Sequence, residues 1–341
     1  MTPASGHTRL SQHTTLHVGG PVHEWVEAHT TQDLVDAVVD ADALDMAVLV
    51  LGGGSNVVAA DEGFRGRVVH VATRGIEAND AGVFRIAAGE PWEGVVRDAV
   101  DQGWAGIEAL SGIPGLTGAT PIQNVGAYGQ DVSQVLVSLT ALDRSTRTVC
   151  TMTADQCAFG YRTSALKSDP TRWVVLDVTL RLRASSTNAV AYPELARALG
   201  VSVGDQAPIA DVRDAVLELR QRKGMVLDDA DHDTWSVGSF FTNPIVDAPV
   251  AARFDASCPR YPARGGTKLS AAWLIEAAGL SRGFRLAPDA RAAISSKHTL
   301  ALVNLGGATS ADILDLAAHI QRRVLDTHGI ALDIEPVMVG A

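Results

Sequence analysis

The sequence predicts an α+β protein of two or three domains. Three observations predict it. At 341 residues the chain is too long for one compact core. Residues 132–182 read as a run of strands, whereas from residue 209 onward the apolar spacing changes to a helical period with short strands among the helices. The two halves therefore have different characters, and no internal repeat or low-complexity segment joins them.

Taken in order, Thr31-Gln32-Asp33 opens a helix through Leu34, Val38 and Val39, and Ala47 to Leu51 is a short apolar strand. Gly52-Gly53-Gly54-Ser55-Asn56 follows directly. Successive small residues at a strand end can turn several backbone N–H groups toward an anion, because no Cβ blocks the approach. The loop lacks the Lys-Ser/Thr of a Walker loop, and Val57 stands where a dinucleotide fingerprint needs its third glycine. With Val57-Val58 extended, it is either an anion cradle of another design or a tight turn without a ligand. Strands at 67–72 and 83–88 come next, then a helix opened by Pro91 and closed near Gly103. The run from Gly112 to Gly129 is dense in Gly, with Pro, Thr, Gln and Asn and almost no charge. That composition suits a backbone-rich cradle for a flat polar ligand, with a structural loop as the alternative.

The strand-rich region comprises Val135 to Leu142, a turn at Asp143-Arg144-Ser145, Thr146 to Thr151, and Trp173 to Leu182. Helices are predicted over Ile209 to Arg222, closed near Gly224, over Leu269 to Leu280, and over Ser310 to His328. The last has Thr309 or Ser310 as its cap and Gly329 just past its end. Strands at 237–241 and 298–304 lie among them.

A formal net charge of −11 disfavours nucleic acid and anionic membranes as partners, while leaving room for a local basic pocket. The N-terminal residues contain no apolar leader core, and no run approaches the roughly 20 apolar residues of a membrane helix, so a cytoplasmic location is expected. Cys150, Cys157 and Cys258 are odd in number and form no CxxC pair, so they read as reduced structural thiols. No metal-ligand cluster is legible. The most informative segment is Gly238-Ser239-Phe240-Phe241-Thr242-Asn243-Pro244, which sets one hydroxyl between a glycine and an aromatic pair. Together with Phe159-Gly160-Tyr161-Arg162 and Glu335 it offers a hydroxyl, a fixed cation and a carboxylate, a set suited to proton transfer to a carbanion. Taken singly, Ser239 is equally a buried hydroxyl on backbone, and Arg162 and Glu335 are surface ion-pair residues.

These motifs resemble one family, the UDP-N-acetylenolpyruvoylglucosamine reductases. The resemblance runs from about residue 10 to residue 340 and rests on Thr15-Leu16-His17-Val18-Gly19-Gly20, Leu51 to Asn56, Ile113-Pro114-Gly115, Pro121 to Gly129, Phe159 to Arg162, Gly238 to Phe241, and Leu332 to Pro336. It implies a two-subdomain FAD-binding fold of the vanillyl-alcohol-oxidase type followed by a smaller α+β substrate-binding domain. The implied divisions are 1–71, rejoined by 330–341; 72–200; and 201–329. Ala191-Tyr192-Pro193-Glu194-Leu195 resembles the substrate-covering tyrosine loop of one form of the family, although Tyr192 also reads as an ordinary surface aromatic. Two departures are Pro336, where many relatives carry valine, and Thr163, where an acid often follows the arginine.

The resemblance further implies non-covalent FAD held by Gly52, Gly53, Gly54, Ser55, Asn56, Pro114, Gly115, Gln123, Asn124, Gly126, Ala127 and Tyr128. NADPH is implied as hydride donor and a UDP-sugar as substrate, in peptidoglycan precursor synthesis, by a monomeric protein. Ser239, Arg162 and Glu335 are the implied catalytic residues. Tyr161, Tyr192, Lys223, Asn243 and His298 are the implied substrate contacts, with Lys268 and Arg282 able to add positive charge. Hydride addition to an enolpyruvyl ether leaves negative charge spread into its carboxylate, and a planar guanidinium suits that charge. An ionised Glu335 would repel it, so a protonated or bridged carboxyl is expected, and Ser239 needs help from its neighbours as a general acid. Two other classes remain: an alcohol or sugar oxidase on the same FAD architecture, and a non-enzymatic sugar-nucleotide sensor. Anaerobic reduction by NADPH separates the first, and turnover excludes the second.

Overall fold

The computed structural model describes residues 8–340. Residues 1–7, read above as lacking a leader core, and residue 341 lie outside them. The chain divides into two units, one built from Val22–Gly53 and Arg65–Arg222, the other from Arg9–Pro21, Gly54–Phe64 and the chain from Lys223 onward.

In the first unit the helix Thr31–Ala43 begins where its local signals place it. Thr30 Oγ1 accepts from the Asp33 amide at 3.1 Å and Asp33 Oδ2 accepts from the Thr30 amide at 3.0 Å, pairing amides that a helix start leaves without partners. Its Leu34 and Val38 are fully buried in one cluster with Val69 and Val71. A three-stranded sheet runs in the order Val22–Ala28, Phe64–Val71, Val48–Leu51, the last two parallel. The parallel strand Val48–Leu51 delivers the chain to the Gly52–Asn56 loop. A five-stranded antiparallel sheet follows, in the order Thr148–Thr153, Leu136–Asp143, Trp173–Arg181, Val83–Ala87, Ile76–Ala78. The edge strand Ile76–Ala78 is exposed at all three residues, so it lacks the alternation by which a sequence announces a strand. The helix Trp92–Asp101 packs Trp92, Val95, Val96 and Ala99 against the core of this sheet.

In the second unit the helix Ser310–His328 settles which residue is its cap. Thr309 Oγ1 accepts from the Asp312 amide at 3.1 Å, whereas Ser310 turns its hydroxyl to Asp61 Oδ2 at 2.8 Å. The helix expected over Leu269 to Leu280 is shorter, Ala271–Ala277. Leu269 ends the strand Gly266–Leu269, which pairs antiparallel with Arg260–Ala263, and Ser270 Oγ accepts from the Trp273 amide at 3.3 Å to start the helix. The strands expected at 237–241 and 298–304 are observed at Ser236–Ser239 and Ala301–Asn304, which pair antiparallel with each other, Ala292–Ile294 pairing antiparallel on the other side of Ala301–Asn304. Val57–Ala59 is extended as expected and pairs in parallel with Val337–Val339.

Phe240 and Phe241 are 0% and 1% exposed in the core of this unit, each burial contributing about 1.5–3 kcal/mol. Cys150, Cys157 and Cys258 are free thiols, and burial pushes the Cys157 thiol up to about 11. Among the described residues no helix is long and apolar enough to cross a membrane.

Candidate active site

The strand Val48–Leu51 ends at the glycine loop, whose backbone is closely confined. A Cβ on Gly53 would stand 2.9 Å from the Gly115 Cα, and one on Gly54, at φ 60°, would stand 2.0 Å from the His13 carbonyl oxygen. Only glycine lets these backbones approach so closely. Gly53 and Gly115 belong to the two glycine-rich loops that the sequence singles out, so within the first unit the loops abut, backbone to backbone. A cradle lined by main-chain N–H groups fits a diphosphate, and FAD carries one. Gly53→Val is accordingly expected to weaken FAD binding by roughly 5- to 150-fold, the equivalent of the 1–3 kcal/mol typical of overpacking. The ratio of flavin to protein absorbance in the purified variant measures it, and unchanged occupancy counts against this cradle.

Arg162 lies in the first unit on a bent segment, Gly160 and Thr163 forming an isolated bridge around it. Its Nη2 donates to the Gly126 carbonyl at 2.9 Å and its Nη1 to that of Asn124 at 3.5 Å. Asn124 in turn donates from Nδ2 to the Gly160 carbonyl at 3.3 Å and accepts from the Ser133 amide at 3.0 Å. Arg162, Asn124 and Tyr128 all have left-handed backbones, at φ 54°, 47° and 49°. Non-glycine residues there cost on the order of 1–3 kcal/mol each and gather at functional sites. The sequence groups 121–129 and 159–162 separately, and the structure ties them together through this guanidinium. The Tyr128 and Tyr192 rings meet edge to face, centroids 5.6 Å apart, and burial pushes the Tyr128 phenol up to about 12. Tyr161 lies under the Arg162 guanidinium, 5.8 Å from it.

Ser239 and Glu335 lie in the second unit on paired backbones. Gly238, at φ 75°, precedes Ser239 at the end of its strand, and the Phe240 amide donates to the Leu300 carbonyl at 2.7 Å. The Glu335 amide donates to the Phe240 carbonyl at 3.0 Å, the Thr242 amide to the Asp333 carbonyl at 3.0 Å, and Phe241 bridges Ile334. Glu335 is buried. The Val337 amide donates to the Asn56 carbonyl at 2.9 Å, so the end of the glycine loop adjoins the segment that carries Glu335.

Of the other predicted contacts in this unit, Asn243 Oδ1 accepts from the Ala271 amide at 2.9 Å, which commits that oxygen to starting the following helix. The His298 amide donates to Ser295 Oγ at 3.2 Å. The Ser296 amide and hydroxyl both donate to the Asp233 carboxylate, at 3.0 and 2.7 Å, fastening the turn that bears His298. Lys223 begins the unit's third segment, and the Lys268 ammonium lies over the Tyr261 ring at 5.8 Å.

A contact of Thr15 and the burial of Arg220, both beside this machinery, are not given by the sequence. Thr15 Oγ1 donates to the Ser236 carbonyl at 2.6 Å, tying the Thr15–Gly20 motif to the strand that ends at Ser239. Arg220 is buried on the helix Ile209–Arg222 beside Val216 and Leu219. Burial pushes its guanidinium pKa down; Tyr128 and Glu93 oppose that shift and Arg162 adds to it. Its signal is legible in retrospect as a cation on the apolar face at the spacing of Val212, Val216 and Leu219.

Residues 24–152 match the family model described as "FAD binding domain", so the glycine-loop unit is that of an FAD-binding flavoprotein. Residues 229–339 match "UDP-N-acetylenolpyruvoylglucosamine reductase, C-terminal domain". The chain is 51% identical to the UDP-N-acetylenolpyruvoylglucosamine reductase of Saccharopolyspora erythraea, over 98% of this chain and 95% of that one. It is 50% identical to that of Thermobifida fusca, over 97% and 96%. The crystal structure of the Thermus caldophilus reductase superimposes with a TM-score of 0.68 at 26% identity, covering 99% of this chain and 100% of that one. The chain belongs to the UDP-N-acetylenolpyruvoylglucosamine reductase family.

Proposed function

We propose that the protein reduces UDP-N-acetylenolpyruvoylglucosamine to UDP-N-acetylmuramate with NADPH, as a step of peptidoglycan precursor synthesis, and that it works as a cytoplasmic monomer. The observation that carries the reading, beside the family, is the backbone pairing of the Ser239 and Glu335 segments, two chemically apt side chains from distant parts of the chain held on adjacent backbones. The three domains expected at 1–71, 72–200 and 201–329 are part of the same proposal.

FAD, once bound and reduced by NADPH, would supply the hydride that adds to the terminal carbon of the enolpyruvyl group. Negative charge then builds on the substrate carboxylate. The Arg162 guanidinium is permanently cationic and already oriented by the Asn124 and Gly126 carbonyls, so little reorganisation opposes its stabilising that charge. Glu335, which is buried, acts protonated or through a bridging group, because an ionised carboxylate would repel the developing charge. The Ser239 hydroxyl delivers the proton to the adjacent carbon. Tyr161, Tyr192, Lys223, Asn243 and His298 hold the sugar nucleotide.

Purified protein is expected to be yellow, to release FAD on denaturation, and to oxidise NADPH anaerobically beyond one equivalent of its flavin only while the enolpyruvyl substrate lasts, with UDP-N-acetylmuramate identified by mass. A colourless protein that FAD does not reconstitute, or an absence of that product, overturns the reading.

A further inference from the structure

Glu108 is 1% exposed, and no step of the chemistry above uses it. It sits in the turn Glu108–Leu110, far in sequence from Gln130 and Asn188, two of the residues its carboxylate holds. Oε1 accepts from Gln130 Nε2 at 2.7 Å and from Asn188 Nδ2 at 2.5 Å, and Oε2 accepts from the Gly106 amide at 2.6 Å. Every donor is an uncharged N–H. Gln130 answers with Oε1, which accepts from the Ala109 amide at 2.8 Å, so turn and hairpin are joined twice. Gln130 belongs to the hairpin Gly126–Ala127 with Gln130–Asp131, whose connection carries Tyr128. Asn188 belongs to the strand Thr187–Ala189, four residues before Tyr192. Its own Oδ1 accepts from Arg183 Nη2 at 2.6 Å and from the Ala189 amide at 3.0 Å. One buried carboxylate thus ties together the two short segments whose tyrosines meet edge to face.

We propose that Glu108, through Gln130 and Asn188, is a positioning residue that sets Tyr192 against Tyr128 and so presets the tyrosine loop for the UDP-sugar. The inference rests on the proposed function in taking Tyr192 as a substrate contact. A carboxylate suits the task because a buried charge left with a missing donor is strongly disfavoured, so the arrangement with all donors in place excludes looser ones. Neither that hairpin nor the antiparallel pair of Thr187–Ala189 with Gln206–Pro208 is long enough to be rigid alone. The latch replaces order that the substrate would otherwise have to impose, and its loss weakens binding of the substrate rather than the chemistry on it.

The test uses the full-length flavoprotein. Asn188→Ala removes one strand of the latch at a partly exposed site, and Glu108→Gln turns a donor against a donor. Both are expected to leave FAD content and flavin reduction by NADPH unchanged and to raise KM for the enolpyruvyl substrate roughly tenfold, with kcat changed by less than about twofold. In a Tyr192→Ala background, Asn188→Ala should raise KM no further. An equal factor in both backgrounds, an unchanged KM, or equal losses in both half-reactions overturns the latch. Should Glu108→Gln fail to fold, the Asn188→Ala cycle decides. Failure of wild-type protein to turn over the substrate sinks the functional reading instead, and the latch is then judged without substrate. Amide hydrogen exchange over residues 187–192 should quicken in Asn188→Ala and not in Tyr192→Phe, and equal exchange in the two rejects it.

Discussion

Ser239→Ala is expected to keep its FAD and to be reduced by NADPH at the wild-type rate, while reoxidation by the enolpyruvyl substrate slows by roughly 10²- to 10⁴-fold, the range typical of a lost general acid. The asymmetry follows from chemistry, since reducing the flavin needs no proton from the serine. The fold favours a clean experiment. Ser239 lies at the end of its strand, and the neighbouring backbone bonds, Phe240 to Leu300 and Glu335 to Phe240, are made by main-chain atoms. An alanine side chain therefore leaves the pairing with the Glu335 segment in place. Stopped-flow absorbance of the flavin separates the two half-reactions. Equal slowing of both, or reoxidation at the wild-type rate, removes Ser239 from the role of proton donor and leaves it a structural residue.

Arg162→Lys is expected to slow the same reoxidation by about 10²- to 10³-fold, the loss seen when one preorganised donor to a developing anion is removed. Charge is retained, so the loss reports geometry. A lysine presents a single point charge where the guanidinium offers a planar fork. That fork also serves the Asn124 and Gly126 carbonyls, so the substitution should lower unfolding free energy by about 1.5–3 kcal/mol, as expected for hydrogen bonds from a charged donor. Thermal unfolding followed beside the flavin kinetics reads both effects. A stability loss with normal reoxidation would make Arg162 a brace for the 121–129 loop and nothing more.

The two predictions draw on features of different legibility. The capped helices Thr31–Ala43 and Ser310–His328 were readable because their signals are local: a capping side chain three residues from its amide, and apolar residues on one stripe. The glycine loops were readable because the absence of side chains is itself a sequence fact. Ser239, Arg162 and Glu335 were readable as candidates through the ordered motifs around them, although no spacing in the chain says which backbones lie beside which. Where a partner strand decides, the local sequence does not. Leu269 carries an apolar residue into either a helix or a strand, and its pairing with Arg260 makes it strand.

By itself, then, the sequence determined the α+β class, the start of the helix at Thr31, both ends of the helix Ser310–His328, and the family. All of these depend on neighbours within a few residues or on the order of motifs. Only the tertiary structure decided that Phe241 bridges Ile334, that Arg162 braces the 121–129 loop, that Arg220 is buried, and that Glu108 holds Gln130 and Asn188. Those contacts join residues far apart along the chain. Which distant donor reaches a given carboxylate is settled by the packing of whole sheets, where burial makes an unpaired polar group too costly to keep.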